Sequence, residues 1–256
     1  ESFVVPENVT KIGLSCFLFC ISMTDFQFES VAKGTVGKLT SIGANAFKGT
    51  GISEFVFPES SADSISLGTK MFLACPNLTS VTLSPQITNI SDVFTGCLCL
   101  ESITIPAENK NFISSGGVIY NQNEQAVDIL FVYSVTTPDE EGKPLADENG
   151  KVVLSSNTTQ IGAGAFAGRD DITSIVIPES VQSIGDNAFS GCTNLKSVTF
   201  EGASKLTSIG LNAFQYCRSL ESIIIPSGVT EISNYTFDQC TSLASVTLPS
   251  GLLEIG

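Results

Sequence analysis

The chain has 256 residues, 42% of them hydrophobic, and a formal net charge of -14. So acidic a surface repels phosphate backbones and anionic headgroups, which argues against nucleic acid or a lipid surface as partner; no apolar run reaches the roughly 18 residues of a membrane span. There is no His and no Trp, so the commonest general base, the usual activator of a nucleophilic Ser or Cys and the commonest metal ligand are missing.

The chain opens inside an apolar run, Phe3-Val4-Val5-Pro6, and stops just after a turn begins, at Glu254-Ile255-Gly256. Both ends read as cuts through a longer array, so missing targeting signals carry no information. Between them one phrase recurs. Ser41-Ile42-Gly43, Gln160-Ile161-Gly162, Ser183-Ile184-Gly185 and Ser208-Ile209-Gly210 are each followed by Ala-Phe, and looser copies lie at Ile12, Leu67, Ile90, Ile232 and Ile255. Successive anchors are 30, 25, 23, 71, 23, 25, 23 and 23 residues apart. A period near 23 predicts a solenoid, in which each unit buries its apolar face on its neighbours.

Within each unit the order is strand, stop, turn, anchor, aromatic. Leu195/Val198/Phe200 set a Leu-x-x-Val-x-Phe spacing that returns at Leu78, Leu100, Ile172, Leu220 and Leu243, with weaker copies at Met23/Phe26/Phe28 and Ile52/Phe55/Phe57. The alternation predicts a short strand with one face buried. Pro58, Pro106, Pro178, Pro226 and Pro249 then end it, because proline has no N–H to extend a ladder. Gly43, Gly162, Gly185 and Gly210 suit a sharp bend. Phe17, Phe47, Phe72, Phe94, Phe166, Phe189, Phe214 and Phe237 keep a fixed offset from the anchors and form an expected inner aromatic spine. Extra residues at 29–37 and 202–205 read as longer turns.

Six of the eight Cys share one repeat position: Cys20, Cys75, Cys97, Cys192, Cys217 and Cys240. A slot for a small apolar side chain predicts buried thiols. Disulfide rungs between coils are the rival, disfavoured by parallel Cβ vectors. The spacing of Cys97 and Cys99, without His, does not suit zinc.

The 71-residue step contains an insert over 108–151. Gly117-Val118-Ile119-Tyr120, Asn121-Gln122-Asn123-Glu124 and Ile129-Leu130-Phe131-Val132-Tyr133 read as strand, polar turn, strand. Repeat spacing resumes at Val152 and Leu154, so the hairpin is expected to continue the ladder. Residues 138–151, with Asp139, Glu140, Glu141, Asp147 and Glu148, read as a solvated acidic loop. Calcium is the rival there, but the spacing is not that of an EF-hand.

The unit Ile-Pro-x-x-Val-x-x-Ile-Gly-x-x-Ala-Phe-x-x-Cys-x-x-Leu-x-Ser-Val, from Ile177-Pro178 to Val198, resembles the BspA-like, or Treponema-type, leucine-rich repeat. The Gly-Val-Ile-Tyr-Asn hairpin resembles the break that interrupts such arrays. The resemblance covers essentially the whole chain. It implies a secreted or surface-attached protein of a host-associated bacterium or parasitic protist, several relatives of which are implicated in adhesion to host matrix proteins or cells. It supplies no catalytic motif.

The expected architecture is therefore an α/β solenoid: a leucine-rich repeat array of about 23-residue units, with a parallel strand ladder on one face and short helical or irregular turns on the other. A single solenoid is expected over 1–256, made of repeats 1–107, the insert 108–151 and repeats 152–256. Its outward strand positions are a Ser column (Ser80, Ser102, Ser174, Ser197, Ser222, Ser245), replaced by Asp25 and Glu54 in two early units, and a second column of Gln27, Val56, Thr82, Thr104, Val176, Thr199, Ile224 and Thr247. The candidate contact residues are Thr104, Val176, Lys196, Thr199, Glu221, Ile224 and Thr247. Tyr216 and Tyr235 flank the Phe column and are expected to be partly exposed. Uniform Ser is also what a closely spaced ladder wants for its own sake. No catalytic residue, cofactor or metal site is expected. Asn8, Asn77, Asn89, Asn157 and Asn234 match the glycosylation pattern, which in a bacterial protein is chance. Two functions fit: an adhesion module binding a protein or glycan through its strand face, or a stiff spacer presenting another domain. An enzyme fits least.

Overall fold

A computed structural model of the chain describes residues 2–97, 99–121, 127–132 and 145–256. They fall into two compact units, Glu1–Ser114 and Ser115–Gly256. Each is a parallel β-solenoid, and each coil has three sides.

The first side is the strand set by the Leu-x-x-Val-x-Phe spacing. In the N-terminal unit Ser2–Val5 pairs with Asp25–Phe28, and Glu54–Val56, Ser80–Thr82 and Ser102–Thr104 form a parallel ladder. In the C-terminal unit Lys151–Val153, Ser174–Ile177, Ser197–Phe200, Ser222–Ile224 and Ser245–Thr247 make a five-stranded parallel sheet. Ile175 and Ile177 point inward and are fully buried, while Ser174 and Val176 alternate with them. That period of two is the one the sequence shows.

The second side departs from expectation. The Ile-Gly anchors make a parallel ladder of their own: Lys11–Ile12, Ser41–Ile42 and Ser66–Leu67 in the first unit, and Thr158–Ile161, Ser183–Ile184 and Ser208–Ile209 in the second. Glu231–Ile232 and Glu254–Ile255 pair in the same way. The glycines here answer close approach and not a left-handed bend. A Cβ on Gly185 would lie 2.6 Å from the Ala163 nitrogen, and one on Gly68 would lie 2.1 Å from the Ala44 nitrogen. Neighbouring coils touch backbone to backbone at this column.

The third side carries the Ala-Phe pair and is built of turns. Alternate residues donate in two directions. Asn187, Phe189 and Gly191 give their N–H groups to Leu211, Ala213 and Gln215 of the next coil at 2.7–2.8 Å, while Ala188, Ser190 and Cys192 give theirs to the residue three back. Asn45 to Thr50 repeat the arrangement. Left-handed residues at two fixed places, such as Asn187 (φ 56°) and Gly191 (φ 76°), interrupt any helix. Among the described residues the single helix is Glu29–Lys33. The helical content expected of an α/β solenoid is therefore confined to five residues.

The aromatic spine lies inside the coils. Phe17, Phe47, Phe72 and Phe94 stack at centroid separations of 5.3, 5.7 and 5.8 Å. Phe166, Phe189, Phe214 and Phe237 do so at 5.1, 5.2 and 5.8 Å. In the N-terminal unit Phe26 and Phe55 of the strand column stack beside them at 5.4 Å.

The insert forms the expected hairpin. Val118–Asn121 runs antiparallel to Val127–Val132, and the latter pairs in parallel with Thr158–Ile161. The hairpin thus extends the anchor ladder and not the strand face. Residues 122–124 of the polar turn, Tyr133, and Asp139, Glu140 and Glu141 of the acidic loop lie outside the described residues.

Phe189 is fully buried between two stacked neighbours. Phe189→Ala is expected to cost about 3–5 kcal/mol in urea unfolding, and an unchanged midpoint would contradict the spine. Gly185→Ala forces two backbones apart and is expected to lose about 1–3 kcal/mol. Gly251→Ala has no atom within 4 Å of its new Cβ and should melt like the parent.

Candidate binding face

In the C-terminal unit the outward column of the strand sheet runs Val153, Val176, Thr199, Ile224, Thr247. Val153 lies opposite Val176, Val176 opposite Thr199, and Ile224 opposite Thr247. Ile224 is 68% exposed and Val153 54%. Thr199 and Thr247 are exposed, whereas Val176 is half-buried, less open than its outward position suggests. Lys196 and Glu221 are exposed on neighbouring coils where the strands begin, with the Glu221 N–H donating to the Lys196 carbonyl at 3.2 Å. Six of the seven candidate residues thus share one face; Thr104, exposed at the end of Ser102–Thr104, belongs to the N-terminal unit and is described with it alone. Val153 was missed. It stands between Val152 and Leu154, which mark the resumed repeat, and that flanking pair was the signal.

Relief on the strand faces comes from the two extra segments. Strands that end in proline turn away at once. Four strands do not run directly into proline, at Phe28-Glu29, Leu83-Ser84, Leu154-Ser155 and Phe200-Glu201, and of these the first and last lead into the extra residues 29–37 and 202–205. In the C-terminal unit residues 202–204 wall a cavity of about 290 Å³ that Thr199, Phe200 and Ile224 floor. That size admits a side chain and falls just short of a small-molecule pocket. The segment is held down by the Lys205 N–H donating to the Glu179 carbonyl at 3.0 Å. In the N-terminal unit the helix Glu29–Lys33 stands between two further cavities.

The cysteine column is a hydrogen-bonding column. Cys75, Cys97, Cys192, Cys217 and Cys240 each donate Sγ–H to the carbonyl of the Phe one coil earlier, at 3.1–3.3 Å. The slot therefore selects a small donor and not merely a small apolar group. Thr50, at the same position, points its Oγ1 to the Phe47 carbonyl at 2.9 Å. Burial pushes the thiols of Cys75, Cys97, Cys192 and Cys217 up, and that of Cys240 to about 11. Such thiols are poor nucleophiles at neutral pH. Cys20 departs from the column and is exposed, as are Cys16 and Cys99.

Asp147 accepts the N–H groups of Asn149 and Lys151 at 2.9 and 3.0 Å, closing the end of the acidic segment as a turn. Among the described residues no group of three His, Cys, Asp or Glu is placed to hold a metal ion, and no helix is long and apolar enough to cross a membrane. Tyr216 and Tyr235 are 40% and 63% exposed, both in the left-handed conformation.

A family model described as a BspA type leucine rich repeat region matches residues 1–122 and 152–256, in six copies. No curated protein matches the chain. Among solved structures it is similar to a leucine-rich repeat protein from Eubacterium ventriosum, at 21% identity and a TM-score of 0.64, over 97% of this chain and 73% of that one. A leucine rich cell surface protein from Faecalibacterium prausnitzii aligns at 21% identity and a TM-score of 0.52, over 96% and 78%. The pneumococcal vaccine antigen PcpA aligns at 16% identity and 0.53, over 100% and 56%. At these identities the likeness is one of fold.

The thiols yield a prediction with a definite sign. Above about pH 9 the unfolded thiols ionise while the buried ones stay protonated, so the unfolded state binds fewer protons and stability falls as pH rises. Urea midpoints at pH 8, 9, 10 and 11 should show the decline. Cys192→Thr/Cys217→Thr, which copies the residue Thr50 places in this slot, should make it shallower; an unchanged slope would remove the thiols as its cause.

Proposed function

The chain belongs to the BspA-type leucine-rich repeat family, and from that premise we propose that it is a non-catalytic cell-surface or secreted module that binds a host or matrix protein, or a glycan, through the strand face of its C-terminal unit. One observation carries the reading: Val153, Val176 and Ile224 lie in one outward column of that sheet, with Ile224 flooring a cavity walled by residues 202–204. Aliphatic side chains open to water beside a side-chain-sized hollow suit the centre of a protein contact. Thr199 and Thr247 in the same column, with Lys196 and Glu221 at its edge, supply a polar rim. The likeness to a leucine rich cell surface protein supports placement outside the cell. The absence of His from the sequence supports the non-catalytic part. The spacer reading is favoured by a different observation, the Ser174, Ser197, Ser222 and Ser245 column, which repeats over four successive strands and changes only at Lys151 on the first strand of the sheet.

Binding of the purified chain to immobilised fibronectin, fibrinogen, collagen, laminin and a host glycan array tests the reading. Val176→Glu/Ile224→Glu is expected to lower a saturable signal at least tenfold with an unchanged melting curve. Binding that survives the pair moves the contact off this face, and silence across the panel favours the spacer.

A further inference from the structure

The N-terminal unit carries a second relief on its strand face, chemically unlike the first. Helix Glu29–Lys33 follows Asp25–Phe28 without a proline between them and lies against the sheet with Ser30 buried and Val31 38% exposed. Gly34, at φ 64°, closes it by donating to the Val31 carbonyl at 3.1 Å. Both ends of the segment are fastened to Glu7. The Glu7 N–H donates to a Glu29 carboxylate oxygen at 3.2 Å, and the Thr35 hydroxyl donates to the Glu7 carboxylate at 3.3 Å. The helix is therefore a fixed wall, and a fixed wall lowers the ordering cost of binding.

Two cavities flank this wall, of about 440 and 310 Å³. Val31 and Val56 line both, so the pair makes one notched groove with an aliphatic saddle. Its charge is one-sided. Asp25 and Glu54 line the larger cavity and Glu59 the smaller, and no Lys or Arg lines either. The helix's own cation is engaged, because Lys33 donates to Glu29 at 2.6 Å. Along the strand ladder Glu54 stands opposite Ser80, which stands opposite Ser102. The carboxylates thus replace the column's Ser on the two strands beside the helical wall, and Ser returns where the wall ends.

We propose that this groove of the N-terminal unit docks an extended, positively charged segment of a partner protein, its Lys or Arg side chains meeting Asp25 and Glu54 and an aliphatic side chain seated between Val31 and Val56. Charge complementarity selects that occupant, since a carboxylate-rimmed groove repels acidic or phosphorylated segments. Length agrees. From the coil of Asp25 to that of Pro106 is three coil steps of about 4.8 Å, roughly the reach of four extended residues at about 3.4 Å each. The surface lies on the other unit from the face proposed above, so either stands without the other.

The test uses the full chain and a fluorescein-labelled octapeptide of alternating Lys and Val, with alternating Ser/Val and Glu/Val octapeptides for comparison, read by anisotropy at low and moderate salt. Saturable binding of the Lys/Val peptide is expected, at least tenfold tighter than Ser/Val, weakening with salt, with none for Glu/Val. Asp25→Lys/Glu54→Lys is expected to weaken it at least tenfold and Val31→Ser at least threefold. Glu231→Lys/Glu254→Lys makes the same charge change on exposed residues of the other unit and should leave affinity within twofold. Equal loss in the two Lys pairs would reduce the effect to the chain's overall acidity and overturn the proposal. So would the absence of saturable Lys/Val binding, or an unaltered affinity in Asp25→Lys/Glu54→Lys with its melting curve intact.

Discussion

Coil-to-coil backbone hydrogen bonding is the constraint on which the remainder of the structure rests. All three sides of a coil send N–H groups to carbonyls of the neighbouring coil, the third side at alternate residues such as Phe189. This fixes one spacing for every column. A side chain repeated at that spacing meets copies of itself, so each column accepts the residue that stacks best on its own kind. Flat rings at Phe166, Phe189 and Phe214 do this with interplanar angles of 16° and 2°. After the anchor a Cβ at Gly43, Gly68, Gly185 or Gly210 would enter the neighbouring backbone, and only the small Ser91 and Ser233 replace glycine there.

The same constraint explains where recognition is able to reside. A strand face built to one spacing is flat and repetitive, and the Ser column shows how little information it carries. Departures arise where a coil is permitted to lengthen without disturbing the columns. That place is directly after the third inward strand position, where most coils have Pro and the coils of Phe28 and Phe200 have Glu. The two extensions differ in chemistry: residues 202–204 border an uncharged hollow beside Ile224, and Glu29–Lys33 stands over Asp25, Glu54 and Val56. One fold thereby presents two unlike surfaces on two units.

What was legible in the sequence followed periodicity. Ile175, Ile184, Phe189 and Leu195 recur at fixed offsets, and their burial needed nothing beyond the period. The anchor ladder was not legible, since Ser183-Ile184-Gly185 is two strand residues and a glycine, which reads as a turn. On the third side short helices and irregular turns were both expected, and the left-handed Asn187 and Gly191 make it a side of turns. The hydrogen-bonding role of the Cys column hid behind the apolar reputation of cysteine, although Thr50 in the same slot pointed to it. The strand-face row was largely readable, Val153 excepted. The hollows were not, because they depend on where residues 29–37 and 202–205 lie in space, and the sequence showed only that those turns are long.

Coil-to-coil hydrogen bonds also give each unit a mechanical character. They lie along the direction in which coils are stacked, so a pull in that direction loads them end-on, one coil at a time, and not together in shear. A coil of about 23 residues that peels away replaces about 4.8 Å of stacked height with up to about 80 Å of extended chain. A unit built this way yields in steps, lengthening greatly while the coils still stacked keep their columns intact. For a protein held in flowing fluid, such stepwise lengthening would absorb a sudden load before the attachment at either end had to bear it.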